Sequence, residues 1–231
     1  MDWLDSYDMR ARIAPTILII SPLVFAVISL FQIQESIISM ILGSVFFIIF
    51  IYFLSFWVRA NGRKIEKIIW ASSGGPPSTR IMMWDDCHLS RELKKNIYQK
   101  IKTAYDITLP SENQNNSAFL NIVETVFNRV KNEVRIKNPN GLWSIQNAEY
   151  GSVRNIYGSR HYFYVFSIFG VICCVFSWYV HNDMFSLLWL TVDFLIAICS
   201  SIFGYYLGPT LVSEYGFEYV ESIWLSFLSL P

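Results

Sequence analysis

The sequence predicts an α-helical integral membrane protein in which four transmembrane helices form two hairpins with an inserted cytosolic α+β domain. Three observations carry this expectation. Of 231 residues, 53% are hydrophobic and 17% aromatic, above the apolar share of water-soluble domains. The apolar residues gather into four blocks, 13–31, 37–58, 163–180 and 185–207. Each is long enough to cross a hydrocarbon core of ~30 Å at ~1.5 Å per residue. Finally, the 18 Lys and Arg residues are Arg10, Arg12 and sixteen between Arg59 and Arg160, with none beyond.

That charge distribution sets the expected topology. The connectors 32–36 and 181–184 carry no Lys or Arg, so the positive-inside rule makes them the translocated ends and both termini cytoplasmic. The chain then divides into five segments: a cytosolic tail, 1–12; a first hairpin, 13–58; a basic cytosolic insert, 59–160; a second hairpin, 161–207; and an amphipathic cytosolic tail, 208–231. The first block is about 19 residues long and holds Pro22, so it reads as a retained helix and not as the shorter apolar run of a cleaved signal.

The insert holds sixteen basic and nine acidic residues. Its first basic residues, Arg59, Arg63, Lys64 and Lys67, fall just below the headgroups and read as a topology anchor. Next comes "WASSGGPPSTR", residues 70–80. A phosphate loop needs inward backbone N–H groups followed by Lys and Ser or Thr; Pro76 and Pro77 have no N–H to offer. Gly74, Gly75, Pro76 and Pro77 therefore read as a stiff bend. "TRIMMW", 79–84, is expected to be a short strand. Ser90 is placed to cap a helix whose Leu93, Ile97, Ile101 and Tyr105 recur every four residues. The polar tract 111–117 reads as a loop that caps a second helix, about 118–134, with Leu120, Val123, Phe127, Val130 and Val134 on one face. The final tail carries Glu214, Glu218 and Glu221 on one helical face and no basic residue, which suits packing on the basic insert or on a neighbouring subunit.

Two runs, "GGPPSTR" and "NAEYGSVRNIYGSR" (147–160), stand before the last hydrophobic hairpin. On Gly74, Gly75, Pro76, Pro77, Thr79, Arg80, Tyr150, Gly151, Arg154 and Asn155, the chain resembles a widespread group of small uncharacterised bacterial membrane proteins. It departs from the group at Ser152 and Val153, where an aromatic and a further basic residue are expected. The resemblance covers about 70–160 and implies an inner-membrane protein; it supplies no catalytic residue.

Asp193 is the most informative single residue, lying about 12 Å into the last span by helical rise. A carboxyl there must be protonated, paired or hydrated. It admits two readings: a polar lumen at an oligomer axis, or a hydrogen bond inside one bundle. Gly204 and Gly208 form a G-x-x-x-G pair, and Ser167 and Gly170 begin a small-residue stripe with Cys174 and Ser177, both of which permit close helix packing. Cys87 and His88 have the types of a thiol enzyme, but neighbours in an extended segment point to opposite faces. Lys94, Lys95, Lys100 and Lys102 could meet nucleic-acid phosphates, though such helix faces are usually only solvated. The four cysteines show no metal or disulfide spacing, and no cofactor motif is present. The expectation is a non-enzymatic, homo-oligomeric inner-membrane protein in the lipid bilayer, whose insert senses or docks a cytosolic protein partner. By architectural analogy it is the membrane arm of an anti-phage or stress system. The alternatives are a channel or transporter component with Asp193 in the conduction path, and a membrane enzyme using Cys87 and His88.

Overall fold

The computed structural model describes residues 6–31, 37–109 and 117–231, with backbone alone at residue 6 and at 37–46 and 117–118. The connector 32–36, the loop tract and helix cap at 110–116, and the first five residues of the N-terminal tail lie outside the described residues. A short helix, Ser6–Asp8, and a π-helical turn, Met9–Ile13, lead into α1 (Ala14–Phe31). Next in the chain are α2 (Ile37–Ser72), a one-turn helix Pro77–Arg80, α3 (Arg91–Tyr105), α4 (Ser117–Lys137), α5 (Leu142–Gly158), α6 (Arg160–His181) and α7 (Met184–Ile202). A second π-helical turn, Phe203–Leu207, joins α7 to α8 (Gly208–Ser229).

Two expectations are corrected. There is no strand among the described residues, so the insert is helical and not α+β. The predicted strand fails because Pro77 starts a helical turn after an extended Pro76 (ψ 151°), a position for which its fixed φ is suited. The N–H groups of Arg80, Ile81 and Met82 then turn back onto Pro76, Pro77 and Thr79 carbonyls at 3.1–3.2 Å, leaving no ladder to extend. The four-span count is corrected too: three helices among the described residues are long and apolar enough to cross a membrane, Met9–Phe31, Arg160–His181 and the 46-residue run Met184–Ser229. The predicted second span, 37–58, is instead part of the 36-residue α2. Every stretch of sufficient length beyond residue 46 of α2 takes in Arg59, Arg63 and Lys64.

The chain divides into two units, Met1–Glu66 with Gly151–Val212, and Lys67–Tyr150 with Ser213–Pro231. In the first, α6 packs on both α1 and α7, and its sides are inverted relative to a water-soluble helix. Ser167, Gly170, Cys174 and Ser177 are buried at spacings of three and four, while Val165, Phe169, Ile172 and Phe176 are all more than half exposed. Apolar surface on that scale requires a non-aqueous neighbour, and small residues inside let helices approach in lipid. Exposed Tyr162 and Tyr164 stand near one end of α6 and Trp178 and Tyr179 near the other. From Tyr162 to Trp178 is about 24 Å of helix, the spacing expected of interfacial aromatic belts. Pro22 interrupts α1 without leaving an orphan, because the Ser21 hydroxyl donates to Leu18 O at 2.9 Å, the carbonyl that a residue-22 N–H would otherwise have reached.

The second unit has an ordinary apolar core in which Ile97, Ile101, Val123, Val130, Ile223 and Trp224 are essentially fully buried. Ser90 caps α3 by accepting from Leu93 N–H at 3.2 Å, as its sequence position predicts. The tail helix packs within this unit through its apolar face; Glu214 and Glu218 stay exposed, Glu214, Glu218 and Glu221 form no ion pair among the described residues, and the insert's cations reach the tail through Arg135 on the Tyr219 hydroxyl and Lys100 on the Leu228 carbonyl. Glu133 on α4 accepts from Lys137 Nζ at 2.7 Å and from the Tyr105 hydroxyl of α3, and these two bonds, Lys137 first, hold its carboxyl below the ordinary 4.5. A carboxylate depressed on folding contributes stability that is full above the unfolded value and lost as pH falls through the folded one. The wild-type melting temperature is therefore expected to fall more steeply below about pH 4.5 than that of Glu133→Gln; parallel curves would exclude this coupling.

Candidate functional site

Two clusters in the first unit gather most of the chemistry. The first is a polar seam along α1, α6 and α7. Asp193 is fully buried; the Cys174 thiol donates to its Oδ2 at 3.3 Å, and its Oδ1 has no partner among the described residues. Nearer the 181–184 connector, the Ser177 hydroxyl donates to Ser29 O at 2.7 Å and lies 3.1 Å from the Ser186 hydroxyl. Asp183 caps α7 by accepting from Ser186 N–H at 2.8 Å. Room for the carboxyl comes from Gly170, where a Cβ would sit 2.8 Å from Asp193 Oδ2 and 3.0 Å from Pro22 O. One neighbour is main chain and cannot rotate away, so Gly170→Ala is expected to cost about 1–3 kcal/mol by overpacking. Thermal unfolding in detergent measures it. Asp193 is thus enclosed by helices of a single chain, and the seam can hold or share a proton.

The second cluster is a basic junction built from residues 7–12, 59–66 and 151–158. Glycines let these segments touch: a Cβ on Gly151 would meet Ala11 Cβ at 2.9 Å, one on Gly62 would overlap the Asn155 amide, and one on Gly158 would lie 2.6 Å from main-chain atoms of Asn61 and Gly62. Asn155, buried, donates from Nδ2 to Ala11 O at 2.6 Å. Arg154 pairs with Glu66 at 2.9 Å and Arg12 with Asp8 at 3.0 Å. Arg59 is held below its ordinary pKa by burial first and then by Arg12 and Arg63.

The other predicted residues are dispersed. Gly74 (φ 79°) and Gly75 (φ 120°) adopt backbone conformations open chiefly to glycine, and Gly75 N–H closes the corner on Trp70 O at 2.8 Å. Arg80 braces it by donating to Ser73 O at 2.7 Å. Tyr150 stacks on Trp70 and Tyr219. The "YG--RN" run thus divides its work: Tyr150 packs in the second unit, while Gly151, Arg154 and Asn155 build the junction. Ser167 is buried and donates to Phe163 O at 2.8 Å in its own helix. Gly204 lies against the Arg160 side chain and Gly208 against the Tyr157 ring, away from Asp193. Of the membrane-proximal cations, Arg63, Lys64 and Lys67 are exposed and Arg59 is half-buried.

Cys87 is exposed. His88 is engaged elsewhere, its Nδ1 at 2.9 Å from Asp86 Oδ1 and its ring stacked 3.9 Å from Phe217; no hydrogen bond joins it to Cys87 among the described residues. Among the lysines, Lys94 is fully buried and donates to Met83 O at 2.5 Å and Asp86 O at 2.7 Å. Burial lowers its pKa, opposed by Asp86 and Asp85. Lys100 donates to Leu228 O and Leu230 O. Only Lys95 and Lys102 of that face remain exposed. No group of three metal-ligating side chains occurs among the described residues. No family model, no curated protein and no solved structure matches this chain.

Proposed function

We propose that this chain is a bacterial inner-membrane protein whose second unit docks a cytosolic protein partner. The inverted helices of the first unit support the membrane role. The cation distribution supports a cytoplasmic location for the basic junction. Residues 67–150 carry eleven of the 18 Lys and Arg residues and fold into one unit with 213–231, which supports a cytoplasmic location for that unit by the same rule.

The observation that carries the docking reading is an apolar corner where α4 meets α5. Ile136 is 81% exposed, Leu142 62% and Ile145 46%, whereas Ile97, Ile101, Val123, Val126 and Val130 of the same unit are buried. Large apolar groups exposed within one short stretch of a water-facing unit mark an interaction surface. A photo-crosslinking residue at Leu142, placed in the full chain in cells, is expected to capture a protein adduct. The same residue at Glu92, exposed on α3, is expected to capture none. An adduct of twice 26.9 kDa would make the partner a second copy and contradict a distinct cytosolic partner; equal labelling at both positions would contradict a docking surface altogether.

A further inference from the structure

We propose that Arg12, Arg59, Arg63 and Arg154 form a binding site for a phosphate-bearing anion at the end of the membrane helices. Three segments distant in sequence converge to make it, and they are held by contacts that leave little freedom: Gly151 on Ala11, Gly62 on Asn155, and the Asn155–Ala11 hydrogen bond. Four arginines are thereby gathered in one region, Arg12, Arg63 and Arg154 all acting electrostatically on Arg59, and two of the four are paired, Arg12 with Asp8 and Arg154 with Glu66. Arg59 and Arg63 form no ion pair among the described residues.

Burial sharpens the deficit. The Nε groups of Arg12 and Arg59 are both buried and lack a hydrogen-bond partner among the described residues. A part-buried cation without an ion-pair partner among the described residues, as Arg59 is, is costly, and the neighbouring Arg12 and Arg63 add to that cost. The guanidinium fork matches the oxygens of a phosphate, each bond being charge-assisted. The same region begins the Met9–Phe31 span, so the phosphate can belong to an anionic lipid headgroup or to a soluble molecule in the adjoining water.

The full chain reconstituted in phosphatidylcholine nanodiscs distinguishes these sources. Its melting temperature is compared with that in discs containing phosphatidylglycerol, and with that in phosphatidylcholine discs given inorganic phosphate or, at equal ionic strength, chloride. A ligand that binds only the folded state raises the melting temperature, and a rise of about 2–4 °C is expected. A rise with phosphatidylglycerol alone assigns a lipid headgroup; a rise with inorganic phosphate assigns a soluble ligand. Arg59→Gln is expected to abolish the response while melting no lower than wild type without added anion, since it relieves repulsion. Lys95→Gln, on the exposed face of α3, is expected to retain the full response. The absence of a rise with either anion, or an unchanged rise in Arg59→Gln, would overturn the site.

Discussion

Gly158→Ala is expected to destabilise the basic junction more than any other single methyl group added to the chain. The new Cβ would lie 2.6 Å from Asn61 C, Gly62 N and Gly62 Cα, all main chain, whereas ordinary contact begins at 3.4 Å. The segments around residues 62 and 158 would have to separate by the difference, 0.8 Å, and no rotamer change relieves it. Overpacking of this kind costs about 3 kcal/mol, or about 6–12 °C in melting temperature for a chain of this length. Gly74→Ala is the matched control, since nothing lies within 4 Å of its added Cβ and the penalty is only left-handed backbone strain of about 1–2 kcal/mol. A Gly158→Ala protein that melts within experimental error of wild type would show that the segments are not in contact.

The second large effect is expected from Trp224→Ala. Trp224 is fully buried, with Phe127 at 5.4 Å and Phe227 at 6.5 Å between ring centroids. Its indole N–H has no partner among the described residues, so the loss is one of packing and not of hydrogen bonding. Truncating a buried tryptophan costs about 3–5 kcal/mol, a large part of the stability of a small helical unit. Because the two units need not unfold together, limited proteolysis is the better readout. Sites within 67–150 are expected to become cleavable while α6 and α7 stay protected; unchanged cleavage within 67–150 would contradict the placement of Trp224 in that core.

Leu93, Ile97 and Ile101 announce α3 by their spacing, and Ser90 its start, because both signals are local and therefore legible in the sequence. The strand expected at 79–84 failed since the Pro76–Pro77 pair sets a helical turn on its C-terminal side, and the buried neighbours Ile81 and Met82 come from a turn pressed on the core and not from an alternating sheet. Helix α5 gave no aliphatic period: toward the junction it presents Gly151 and Asn155, buried small and polar residues that hydropathy does not detect. The depth of Asp193 and the stripe of Gly170 and Cys174 were readable, but that the two meet depends on how α6 and α7 pack. Lys94 reads as one more solvated lysine of α3, and only the turn carbonyls of Met83 and Asp86 reveal it as a buried anchor. The arginine junction was hidden for a related reason, as Arg12, Arg59 and Arg154 are brought together only by the glycine contacts between their segments.

A membrane role requires the first unit to turn its large apolar side chains to lipid and its small polar ones inward. Nitroxide labels placed one at a time along Arg160–His181, in the full chain reconstituted in liposomes, test it directly by collision with oxygen and with a water-soluble nickel chelate. Labels at Phe169, Ile172 and Phe176 are expected to collide with oxygen and not with nickel, and labels at Ser167 and Cys174 with neither, in a helical period of ~3.6 residues. Nickel collision at Ile172 equal to that at the exposed Lys95 would mean that this face meets water, and would contradict its placement in lipid.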